Sequence, residues 1–125
     1  MTCFRRRARR SCARGSARAG NIGRALVRDG KLAAWGVIRA CRRGHKIGPL
    51  VADDRAAAEA VLAALVAAAG ADELFLDVPS VNREALALAR GHGLAPVFET
   101  ARMYTGAIRP LLLERVFGIT TFELG

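Results

Sequence analysis

Hydrophobic and polar positions change period in an ordered way along this chain. The run GRALVRDGKLAAWGVIRA, beginning after Ile22, holds two apolar stretches joined at Asp29-Gly30. Asp-Gly between such stretches predicts a β-hairpin, because a type I′ turn needs positive φ at both central residues. After the basic turn at Arg42, Arg43 and Gly44, the stretch HKIGPLVA predicts a third strand, interrupted at Gly48-Pro49. Proline has no N–H to give a ladder, so this strand is expected to be unpaired on one side, bulged or splayed there.

The period then lengthens. AAAEAVLAALVAAAG strongly favours helix, with Asp53 or Asp54 as N-cap and Gly70 as the stop. ELFLDVP predicts a buried parallel strand ending at Pro79, and Ser80 or Asn82 caps a second helix to about Arg90, closed by Gly91 and Gly93. Strand, helix, strand, helix implies right-handed crossovers and a parallel section of sheet. PVFETARMYTG predicts a long strand, Pro110 opens a short helical or irregular LLLERV, and FGITTFELG predicts a final strand from its β-branched and aromatic content. Residues 21–125 thus predict one α/β domain with the order β-β-β-α-β-α-β-β.

Composition agrees with a single core of Ala, Leu and Val: 52% of residues are hydrophobic but only 6% aromatic, which suits helices laid on a sheet. The net charge of +9 changes the picture only at the front. Arg5, Arg6, Arg7, Arg9, Arg10, Arg14 and Arg18 all precede the first acidic residue, Asp29, and the remainder is close to balanced. Residues 1–20 show no hydrophobic periodicity and repel one another, so a disordered or poorly packed arm is expected there. The same stretch has the composition of a transit peptide without an evident amphipathic helix, and its arginines could touch phosphates, although no aromatics interleave them to stack on bases. A solvated arm is the favoured reading, and nucleic acid is not an expected partner.

Cys3, Cys12 and Cys41 form no CxxC pair, and neither His45 nor His92 stands at metal-ligand spacing. The reading is reduced thiols and no metal site. No apolar run approaches the roughly 18 residues of a membrane span, so a soluble cytoplasmic protein without a membrane partner is expected.

Three stretches, HKIGPLVADDRAAAEAVLAAL, LDVPSVNREALALARGHGL, and FETARMYTG followed by FGITTFELG, resemble the GNAT N-acetyltransferase superfamily, and within it the C-terminal domain of tandem GNAT proteins. The resemblance covers about residues 21–125 and leaves the usual first strand and two helices of a complete GNAT domain without a counterpart. It implies transfer of acetyl from acetyl-CoA, as co-substrate, to a small-molecule or protein amine, with a companion GNAT domain as possible partner. The implied alternative is a catalytically silent GNAT-like module packed against such a companion.

The resemblance also implies site residues. The Q/R-x-x-G-x-G/A loop of the family falls on Asp53-Asp54-Arg55-Ala56-Ala57-Ala58, where only the last position conforms. Arg55 is the pyrophosphate candidate there, against a plain Asp N-cap. The motif N-x-x-A-x-x-L-Y-x-x-x-G-F places Asn82, Ala85, Leu88 and Gly93 in register, with Leu94 for the phenylalanine; Asn82 is implied beside the pantetheine arm, or equally as a helix cap. Backbone N–H groups from Ile47 through Gly48 to Leu50 are implied to face the thioester carbonyl. Ala89 stands where many members carry a proton-donating tyrosine, so Tyr104, or Cys41, would substitute. Asp77, at a strand end, is the candidate general base, with Glu99 as runner-up, and Arg102 is expected to pair with Glu99 or Glu123.

Overall fold

The computed structural model describes residues 1–7, 20–108 and 110–121. Its strands are β1 (Thr2–Arg7), β2 (Asn21–Arg28), β3 (Lys31–Ala40), β4 (His45–Ala52), β5 (Glu73–Val78), β6 (Ala95–Glu99) and β7 (Val116–Gly118), with helices α1 (Arg55–Ala69) and α2 (Arg83–Gly91). One mixed sheet runs β2-β3-β4-β5-β1-β6, and β7 pairs with β4 off that path. This is the predicted α/β architecture, in the predicted order from residue 21 onward.

The local signals act as read. Asp29 and Gly30 both take positive φ, 52° and 73°, and the hairpin closes between β2 and β3. Asp54 caps α1 by accepting from the Ala57 N–H at 2.8 Å, and Gly70 ends it in the left-handed region, its N–H returning to the Val66 carbonyl. Asn82, not Ser80, caps α2, with Oδ1 accepting from the Ala85 N–H at 3.0 Å. Ala57, Ala58, Val61, Leu62 and Leu65 of α1 meet Ala34, Ile38, Leu50 and Ala52 of the sheet in the core. The two helices also meet each other, through Arg55 with Glu84 and His92 with Glu59.

The first seven residues require a correction. Thr2–Arg7 is not an arm but an antiparallel strand between β5 and β6, with Thr2 opposite both Val78 and Glu99. Thr2, Cys3 and Phe4 are buried, and Phe4 belongs to the core. Like-charge repulsion is overcome locally, because Arg5 pairs with the buried Glu73 and lies 5.7 Å over the Phe75 ring, while Arg43 reaches the same carboxylate at 3.0 Å. The rest of the expected arm, residues 8–19, lies outside the described residues.

Two further elements differ in length. The long strand expected over PVFETARMYTG ends at Glu99, and residues 100–108 follow as irregular, exposed chain. The final strand is only Val116–Gly118, after a 3₁₀ turn over Leu113–Arg115. It pairs antiparallel with β4, Leu50 opposite Gly118 and Val51 opposite Val116, so it sits inside the sheet and not at its outer edge. Glu123, the alternative partner for Arg102, lies outside the described residues.

Candidate functional site

β4 is irregular at the residues where the sequence breaks. Against β3, Gly36 faces Leu50 and Ile38 faces Ile47, so β4 spends one extra residue across the Gly48-Pro49 peptide, which is cis. A bulge of this kind bends a strand and ends pairing on one side. Its parallel ladder with β5 covers only His45, Lys46 and Ile47, opposite Leu74, Phe75 and Leu76. Beyond Ile47 the two strands part.

Because β4 and β5 are parallel and each leads into a helix, the N-termini of α1 and α2 open at the same end of the sheet as this gap. Helix N-termini carry unpaired N–H groups and partial positive charge, and ligands of such sheets bind beyond the strand ends. Ile47, Gly48 and Leu50 of β4, Asp77 of β5 and Asn82 at the tip of α2 border this gap, and Arg55 opens α1.

The gap is filled by the chain's own C-terminal segment. β7 pairs with the C-terminal half of β4, and the Ile119 N–H donates to the Asp77 carbonyl of β5 at 2.9 Å. The Asn82 side-chain amide lies 3.1, 3.0 and 2.9 Å from the carbonyl oxygens of Leu113, Glu114 and Val116, sharing its two hydrogens among them. With Oδ1 accepting from the Ala85 N–H and both amide hydrogens given to the segment, this buried side chain keeps one acceptor lone pair and no donor for a ligand. Asn82 is thus a helix cap, one of its two implied roles, and also grips the C-terminal segment.

At the tip of α1, Arg115 of the same segment pairs with Asp53, while Asp54 pairs with Arg28 at 2.6 Å. Arg28, and then the Ala57 N–H, hold the Asp54 carboxyl below the ordinary carboxylate range. Arg55, half-exposed, points to Glu84 at 3.9 Å. Two carboxylates and their arginines thus occupy the helix end where a pyrophosphate would bring negative charge.

Asp77 is fully buried at the floor of the gap, in an ion pair with Lys46. Across the ladder from it, the buried Cys3 has its thiol pushed up to about 12, first by burial and then by the Asp77 carboxylate it faces. Tyr104 is not brought to this cluster: it lies in the irregular segment after β6, half-exposed, with the Arg102 guanidinium 5.4 Å over its ring. Arg102 therefore stacks on Tyr104, and Glu99 instead accepts from the Thr2 hydroxyl at 3.0 Å. Cys41 is exposed beyond the far end of β3.

Several residues of the site escape sequence reading. Lys46, Arg39, Leu113, Arg115 and Ile119 join it through contacts that span up to 81 positions, such as Arg39 with the Thr120 carbonyl. One signal was present: Gly118 inside the apolar run VFGIT marks close backbone approach, and a Cβ there would meet Leu76 Cδ1 at 2.7 Å. With the segment in place, the gap does not fit an acetyl-CoA arm. Among the described residues no cluster of three or more His, Cys, Asp or Glu could hold a metal, and no helix is long and apolar enough to cross a membrane.

Comparison with known proteins supplies the context. The sequence model of the acetyltransferase (GNAT) domain matches residues 14–118. A crystal structure from Pyrococcus horikoshii, of a protein assigned as an acetyltransferase, superposes with a TM-score of 0.65 at 22% identity, over 96% of this chain and 50% of that one. This likeness concerns the fold, and the present chain spans about half the length of that protein. No curated protein matches the sequence.

Proposed function

We propose that this chain, which belongs to the acetyltransferase (GNAT) domain family, is an N-acetyltransferase domain that uses acetyl-CoA and works within a longer enzyme. The parting of β4 from β5 after Ile47 and Leu76 carries this reading, because it sets two helix tips and a strand-end carboxylate, Asp77, around one gap. The acceptor is an amine, on a small molecule or a protein. Asp77 and Tyr104 are the candidate acid–base residues, and Tyr104 requires the 100–108 segment to fold toward the gap. A companion domain is supported by the half-length match and by apolar side chains exposed on the sheet, Leu32, Trp35 and Val97. Such an enzyme would work in the cytoplasm.

A second reading, a catalytically silent module that packs on a companion acetyltransferase domain, is favoured by a specific observation. The Asn82 amide hydrogens are given to its own chain, and Ala89, buried on α2, has no proton to give. Calorimetric titration of acetyl-CoA into a folded full-length Gly118→Val variant, whose added side chain presses on Leu76 and Leu50 and whose release of the C-terminal segment is checked by faster Ile119 amide exchange, separates the two. Saturable binding supports the transferase, and no binding supports the silent module.

A further inference from the structure

We infer that residues 113–121 are a built-in competitor of the coenzyme: the segment occupies the acyl-CoA path, and acetyl-CoA enters only when it is displaced. This rests on the transferase reading above and adds a gate to it.

The segment touches each station of the path in turn. Arg115 engages Asp53 at the tip of α1, where the pyrophosphate would lie. The carbonyls of Leu113, Glu114 and Val116 take the Asn82 amide, the group implied beside pantetheine. Gly118 pairs with Leu50, at the end of the strand edge implied for the thioester, Val116 pairs with the next residue, Val51, and Ile119 bonds the backbone of Asp77. A peptide and a pantetheine arm are both extended chains of amides, so one set of donors and acceptors serves either. Occupation by one leaves no partners for the other.

Two glycines fit this seam closely. A Cβ on Gly48 would stand 2.0 Å from the Ile119 oxygen, and one on Gly118 would meet Leu76 Cδ1 at 2.7 Å and Leu50 Cβ at 3.3 Å. Arg39 ties both sides together by donating to the Gly48 carbonyl at 3.0 Å and to the Thr120 carbonyl. An open groove of about 660 Å³ runs along the segment, lined by the segment itself together with Pro49, Val51, Arg102 and the preceding residues 110–112. Phe117 is the segment's one fully buried anchor. The arrangement is a short strip, with only three residues in strand and an open groove along it.

The test compares acetyl-CoA binding to the full-length chain and to its Gly118→Val variant by calorimetry, with circular dichroism to establish that the variant is folded. If the open form is a minor state, apparent affinity is reduced by its population, so the variant is expected to bind about tenfold tighter or more. A synthetic peptide of residues 112–121 is expected to compete with acetyl-CoA on the variant. Equal affinities for the two proteins would overturn the gate and leave the transferase reading standing. Absence of binding in both, with the variant folded, would overturn the transferase reading and the gate with it. Should the variant not fold, hydrogen exchange of the wild-type Ile119 amide decides: faster exchange with acetyl-CoA present supports displacement, and unchanged or slower exchange overturns it.

Discussion

The carbonyl oxygen of Ile119 lies where only a glycine at position 48 leaves room, 2.0 Å from the place a Cβ would take. Gly48→Ala is therefore expected to push the C-terminal segment off β4 and to cost about 1–3 kcal/mol, as overpacking of a close contact does. Urea unfolding and amide exchange at Ile119 measure the two effects. Gly91→Ala, where a Cβ meets nothing within 4 Å, should leave both unchanged or stabilise slightly.

Asn82 combines a cap and a clamp, and two substitutions separate them. Serine can accept from the Ala85 N–H as a cap but is too short to reach Leu113, Glu114 and Val116, whereas alanine does neither. Asn82→Ser should release the segment while keeping the first turn of α2 protected. Asn82→Ala should also fray that turn, at a further cost of about 1 kcal/mol. Residue-resolved hydrogen exchange distinguishes the outcomes.

Glu73 links acid stability to the docking of β1. Burial pushes its carboxyl up, but the Arg5 and Arg43 guanidinium groups more than offset this and leave it below its ordinary value of 4.5. A carboxyl with a lowered folded pKa stabilises the protein above its unfolded pKa and loses that contribution as pH falls through the folded one. The urea midpoint should drop as the pH is taken below 4.5. In Glu73→Gln the drop should be shallower and the midpoint lower at neutral pH.

Two of the thiols should differ sharply in reactivity. Cys41 is exposed, and Cys3 is buried with its pKa pushed up to about 12, which keeps it a thiol at any physiological pH. In a Cys12→Ser background, a disulfide reagent should consume one thiol rapidly and the second only on unfolding. The raised Cys3 pKa also stabilises the fold below the ordinary thiol value of 9.0, a contribution lost as pH rises from there toward 12. Cys3→Ala should flatten that alkaline loss.

What the sequence revealed was mostly local. The Asp29-Gly30 turn, the Asp54 cap, the Gly70 stop and the break at Gly48-Pro49 are each set by a few neighbouring residues, and each stands where the pattern placed it. The N-terminus misled because charge dominated its composition, while the residues that bury it, Thr2, Cys3 and Phe4, are too few to show a period. Their partners, Val78, Asp77 and Leu76, lie more than seventy positions away.

From residue 21 onward the sequence alone determined the kinds of element, their order and the family they resemble, since periodicity, caps and turn chemistry act over a few residues. Only the tertiary structure decided that β1 sits inside the sheet and that the last strand enters the gap between β4 and β5. Those pairings depend on backbone edges, and a backbone edge offers the same N–H and C=O groups whatever the side chains. Which distant strand takes it is settled by burial of Phe4 and Phe117 and by the room left at Gly48 and Gly118 once the rest has packed.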